Sequence, residues 1–129
     1  MLSKQKTMDH NYKKYTELEL WAEARKLVTT IYELTKLFPK EEQFGLINQM
    51  RRCAVSIPSN IAEGCGRNHK KDSLQFLFIA RGSVFELETQ LYLSNDLKFL
   101  ESAQLKKSLN QLETVRKLLH GFIRYYNQT

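Results

Sequence analysis

The sequence predicts an all-α protein, an antiparallel up-down four-helix bundle. Three observations predict it. Four separate runs carry apolar residues at steps of three and four, the period of a helix with one buried face. Five Gly and two Pro in 129 residues are too few for the many turns of a β-sandwich. The connections between the runs are short, which favours antiparallel neighbours.

Size and composition agree with this class. A hydrophobic share of 42% with 26% charged residues argues against disorder. A chain of this length buries roughly 65–70% of its unfolded surface, enough for one core. The expected organisation is a basic flexible arm over residues 1–15 and one bundle over residues 16–129.

The first helix is expected to open at Thr16-Glu17-Leu18-Glu19, which fits a capping box. Its stripe is Leu20, Trp21, Ala24, Leu27, Val28, Ile31, Leu34, Thr35 and Phe38, and Pro39 ends it. The second helix is expected to start near Glu41–Phe44, where two carboxylates suit the positive end of the helix dipole. Its stripe runs through Leu46, Ile47, Met50, Cys53, Ala54, Ile57 and Ile61. Pro58 falls inside that run, so a kink is expected there. The run ends at Gly64-Cys65-Gly66, read as a left-handed glycine cap.

The third helix is expected from Asp72 or Ser73 to Asn95. Leu77, Ala80, Val84, Leu87 and Leu91 share one face. Phe78, Phe85 and Tyr92, spaced by seven, share a second, and Arg81, Glu88 and Asn95 form a row between them. A helix apolar on two sides needs two partners: the bundle core, and a further helix or another subunit. Phe78, Phe85 and Tyr92 are therefore the candidate oligomer interface. The fourth helix is expected from Ser102 to Tyr126, with Leu105, Leu109, Leu112, Val115, Leu119, Phe122, Ile123 and Tyr126 inward. Arg116 projects within that arc, and Glu113 precedes Lys117 by four as an expected pair.

Catalytic and cofactor motifs are largely missing. No stretch approaches the roughly 18 uncharged apolar residues of a membrane span, and the N-terminus does not read as a secretory signal. A cytoplasmic location is the expectation. Two Cys fit neither a disulfide scaffold nor a four-ligand zinc site. His10, His69 and His120 are scattered, and the Glu-x-x-His pairs of di-iron bundles are absent. Cys53 falls on an apolar stripe and reads as core. Cys65 stands near Arg67 and Lys70, where cations lower a thiol pKa, but no base accompanies it. No metal, cofactor or catalytic residue is expected.

The net charge of +6 gathers in residues 1–16, 67–72 and 101–129. A basic chain attracts nucleic acid through phosphate contacts and counterion release; a solvated basic surface is the plain alternative. The candidate phosphate contacts are Arg67, Lys70 and Lys71 at the turn, Lys106, Lys117 and Arg124 on the fourth helix, and the N-terminal lysines.

Equal distances from the turn near residue 68 set Arg51 and Arg52 opposite Val84–Glu86. Glu86, Glu88, Arg81 and Asn60 could then meet the two arginines, since guanidinium and carboxylate bond in pairs. A ligand site is one reading of this group. A polar network fixing helix register or a subunit joint is the preferred one.

Two segments carry a resemblance. Arg51-Arg52-Cys53-Ala54-Val55-Ser56-Ile57-Pro58-Ser59-Asn60-Ile61-Ala62-Glu63-Gly64 followed by Gly66-Arg67 resembles a signature of the four helix bundle protein family. Ile79-Ala80-Arg81-Gly82-Ser83 with Glu86-Leu87-Glu88-Thr89-Gln90-Leu91 resembles a second one. Leu20-Trp21 with Ala24, and Phe38-Pro39 before Phe44-Gly45-Leu46, agree. The likeness covers residues 16–126; Cys53 departs from it, standing where alanine is expected. This family includes proteins encoded in intervening sequences of bacterial large-subunit ribosomal RNA genes. The accessory variability determinant protein of diversity-generating retroelements is similar at a greater distance.

The resemblance implies an up-down bundle assembling as a ring, typically a pentamer. It attaches no catalytic activity, and by analogy it implies nucleic-acid binding. The expected function is thus a non-enzymatic, homo-oligomeric scaffold on RNA or DNA with low sequence specificity. Its rival is a protein-interaction module with no nucleic-acid role. An enzyme built on Arg51, Arg52, Glu86 and Glu88 would need a pocket that so regular a third helix does not suggest.

Overall fold

The computed structural model describes residues 14–128, so the arm expected over residues 1–15 lies outside them except for Lys14 and Tyr15. The described residues form four α-helices and no strand: α1 Glu19–Thr35, α2 Asn48–Cys65, α3 Lys70–Asp96 and α4 Ser102–Gln128. α1 packs on α2 and α4, and α3 packs on the same two. The four therefore close a bundle around one core.

The inward stripes meet as the spacing requires. Leu27 and Ile31 of α1, Met50 and Ile57 of α2, Leu77 and Leu87 of α3 and Val115 of α4 are fully buried. Each such Leu or Ile contributes about 1.5–3 kcal/mol through burial. The expected core rows of α3 and α4 are inward, with Leu105 and Leu109 partly covered at one end of α4.

Four local expectations need correction. The capping box does not form. Tyr15–Glu17 is a 3₁₀ turn, Leu18 is the N-cap of α1, and no side chain caps it. The reason is apolar anchoring: Tyr15 meets Trp21 edge-on at 5.1 Å, and Leu18 packs against the core.

The second helix does not begin at Glu41–Phe44. Lys40–Glu42 is a 3₁₀ turn and Gln43–Ile47 a wide π turn, so α2 proper starts at Asn48. The Glu42 carboxylate accepts from the Leu46 N–H at 3.1 Å. Gly45 leaves helical geometry at φ −111°, ψ −113°. A Cβ at Gly45 would sit 3.0 Å from Glu42 Oε1.

No glycine takes a left-handed cap. Gly66 ends α2 at φ −88°. Gly64 serves close packing instead: a Cβ there would lie 3.0 Å from the Ser73 carbonyl and 3.3 Å from Leu77 Cδ2. The left-handed residue is Lys98, at φ 65° just past α3. There Phe99 N–H donates to Ser94 O at 2.9 Å and Lys98 N–H to Asn95 O at 3.0 Å, the paired bonds of a Schellman ending. Phe99 then packs on Phe38, with ring centroids 5.5 Å apart.

The fourth correction is the partner of Glu113. It pairs with Arg116, not with Lys117.

Pro58 lies inside α2 and is buried. Its ring removes one donor from the ladder. Side chains flanking it bond to carbonyls of the same helix: Ser56 Oγ donates to Cys53 O and Asn60 Nδ2 to Ser56 O, each at 2.7 Å. Among the described residues, no helix is long and apolar enough to cross a membrane.

Candidate nucleic-acid interface

The basic surface is built mainly on α4. Lys106, Lys117 and Arg124 are all exposed. Steps of 11 and 7 residues return to nearly the same azimuth at about 100° per residue, so the three form one line. At 1.5 Å per residue it is roughly 27 Å long. Arg116 beside it is neutralised, its Nε donating to Glu113 Oε1 at 2.7 Å. That hydrogen bond holds the Glu113 carboxyl below its usual range and raises Arg116. With Glu113 bonded to Arg116, Lys117 is left without a direct carboxylate contact.

The α2–α3 turn holds a second group. Lys70 and Lys71 are exposed in the first turn of α3. Positive side chains there add to the positive end of the helix dipole, which costs stability and strengthens the local field. Arg67 is partly committed: Nη2 donates to Glu63 Oε1 at 2.7 Å, and the guanidinium lies 4.5 Å from the Phe76 ring centroid. Among the N-terminal lysines, Lys4, Lys6 and Lys13 lie outside the described residues, and Lys14 is exposed.

The expected polar network does not assemble within the chain. Arg51 turns to α1, donating from Nε to Thr35 Oγ1 at 2.9 Å and from Nη2 to Tyr32 O at 3.5 Å. Its guanidinium lies 4.6 Å from the Tyr32 ring centroid. Arg52 instead lines a cleft with Glu86, Ser56 and Ser83, but no ion pair joins it to Glu86 among the described residues. The reason is azimuthal. Consecutive helical residues point about 100° apart, so both arginines cannot face α3.

The other members go elsewhere. Arg81 lies 5.0 Å from the Phe78 ring centroid. Gln90 Nε2 donates to Glu86 Oε2 at 3.5 Å. Glu88 acts on α4, helping to raise Arg116 through its charge. Asn60 is used within α2, as described.

The cleft near Arg52 holds no activated thiol. Burial, reinforced by Glu86, pushes the Cys53 thiol up to about 12, and its Sγ–H donates to Ser83 O at 3.1 Å. Ser56 and Ser83 share a 2.5 Å hydrogen bond. Cys65, the last residue of α2, is half-buried. No group of three metal-ligating side chains occurs among the described residues.

The second face of α3 is open in the single chain. Phe78, Phe85 and Tyr92 are 41%, 51% and 49% exposed. Ile79 and Leu93 extend the patch. One further cationic group escaped sequence reasoning: Lys36, Lys40 and Arg51 line one cavity with Phe44. The available signal was Lys40 and Phe44 flanking an acidic pair between Pro39 and Gly45.

Four helices around one apolar core, with the basic groups turned outward, define a four-helix bundle protein. The chain belongs to the family described as 23S rRNA-intervening sequence protein, whose model matches residues 16–121. No curated protein matches it.

Proposed function

We propose that this protein is a non-catalytic, homo-oligomeric scaffold that binds RNA or DNA through basic surface without strong sequence specificity. The observation that carries the reading is the exposed line of Lys106, Lys117 and Arg124 on α4. Lysine and arginine on a convex helix surface meet phosphate, which positions a strand without reading its bases. The family name, tied to an intervening sequence of 23S rRNA, supports an RNA-related role. Arg67, Lys70 and Lys71, exposed at the α2–α3 turn, supply a second basic group.

In this reading the helices run up and down and α2 bends at Pro58. Copies join through Phe78, Phe85 and Tyr92 into a ring, a pentamer by resemblance. Five chains of +6 would carry about +30, raising the field around the assembly. The protein works in the cytoplasm.

A second reading rests on the open α3 face alone: a module that holds a partner protein and no nucleic acid. Binding to single-stranded RNA, duplex RNA and duplex DNA at about 50 and 200 mM salt separates the two. Phosphate binding weakens steeply across that range and is lost when Lys106, Lys117 and Arg124 are changed together to Ala. No binding at the lower salt would discard the nucleic-acid reading for the isolated protein.

A further inference from the structure

The end of the bundle where α1 meets the Pro39–Ile47 connection carries a cavity of about 320 Å³, the lower end of the range for small-ligand sites. Lys36, Lys40 and Arg51 line it, and no carboxylate does. Arg51 is half-buried as a residue and makes no ion pair among the described residues. Its Nε is fixed by Thr35 Oγ1 and its face by the Tyr32 ring. A cation held in place without a carboxylate partner is prepared for an anion.

The acidic groups nearby are accounted for. Glu33 meets Lys36 at the surface at 3.4 Å, Glu42 is committed to the Leu46 N–H, and Glu41 is exposed.

The rim is aromatic. Phe44 is 90% exposed, more than any other large apolar residue described. The turn at Gly45 and the Glu42 bond hold the segment that presents it. Asn48 and Gln43 add side-chain amides, which both donate and accept hydrogen bonds. A ring for stacking, amides for a base edge and cations for phosphate make up the recognition chemistry of unpaired nucleotides. A base stacked within a duplex cannot reach such a ring.

We propose that this cavity takes the phosphate and base of one unpaired nucleotide in a single-stranded nucleic acid, with Phe44 as stacking platform and Lys40 and Arg51, the lining cations without a carboxylate partner, at the phosphate. The proposal rests on the nucleic-acid reading above and adds to general phosphate affinity a preference for unpaired bases.

The test measures the whole protein against a single-stranded RNA of about 10 nucleotides, a blunt duplex of the same length and a free nucleoside monophosphate. Phe44→Ala is expected to lower single-strand affinity by about 5- to 150-fold and to leave duplex binding unchanged. Lys40→Gln is expected to reduce the salt slope for the single strand by about one. Single-strand affinity unchanged in Phe44→Ala, with duplex binding intact, overturns this proposal and spares the general reading. Tighter binding of the monophosphate than of the strand also overturns it. Failure of every probe at low salt overturns both.

Discussion

Arg51 Nε donates to Thr35 Oγ1 at 2.9 Å, tying the start of α2 to the end of α1. Thr35 is buried, and its hydroxyl donates onward to Ile31 O at 2.7 Å. The chain Arg51–Thr35–Ile31 thus places a guanidinium beside the last, negative turn of α1. Thr35→Val keeps the shape and removes the acceptor, leaving the Arg51 N–H without its partner. A loss of about 1–3 kcal/mol is expected, measured as a lower urea midpoint with unchanged slope.

Glycine positions divide by what surrounds them. Gly64→Ala gains helix propensity of about 1 kcal/mol but forces a Cβ to 3.0 Å from the Ser73 carbonyl. Two packed helices must separate, which costs about 1–3 kcal/mol, so net destabilisation is expected. Gly121 has nothing within 4 Å of its Cβ position. Gly121→Ala is expected to raise stability by about 0.5–1 kcal/mol. Thermal melts of the two variants should move in opposite directions.

The Cys53 thiol is raised from its ordinary 9.0 to about 12, chiefly by burial. The folded state therefore favours the protonated thiol. This contribution is fully present below pH 9 and is lost as pH rises toward 12. Below pH 9, a thiolate-selective reagent should modify Cys53 only after unfolding. Modification of native protein at the same rate as denatured protein would contradict the buried assignment.

Phe85 is half exposed in the single chain, so its loss removes little core. If copies pack on the α3 face, Phe85→Glu places charges in an apolar interface and should dissociate the assembly while helix content stays constant. Light scattering with circular dichroism reads both quantities. An unchanged mass would remove this face from the interface.

Much of the fold was legible because helical period marks depth. Spacing alone places Leu27, Ile31, Ile57, Leu87 and Val115 inward, and all are fully buried. The exposed row Phe78, Phe85 and Tyr92 was visible for the same reason. Element ends were less legible, because side chains compete with backbone there. The Glu42 carboxylate takes the Leu46 N–H and delays α2 to Asn48. Lys98 adopts a left-handed conformation that no glycine announced. The arginine network does not assemble within one chain, for a different reason. Distance from a turn fixes height along a helix but not azimuth, and azimuth sends Arg51 to Thr35 and Tyr32. The cavity around Phe44 combines residues from α1, a connection and α2, so no single stretch of sequence displays it.

The most direct test of the scaffold account is the salt dependence of RNA binding, compared among wild type, the Lys106/Lys117/Arg124 triple alanine variant and Glu113→Gln. Each phosphate contact adds about 0.7–0.9 to the slope of log affinity against log salt. The account predicts a slope reduced by about two to three in the triple variant. It also predicts tighter binding in Glu113→Gln, where one negative charge beside Lys117 is removed and the Arg116 charge is no longer offset. Equal slopes in all three proteins would contradict it.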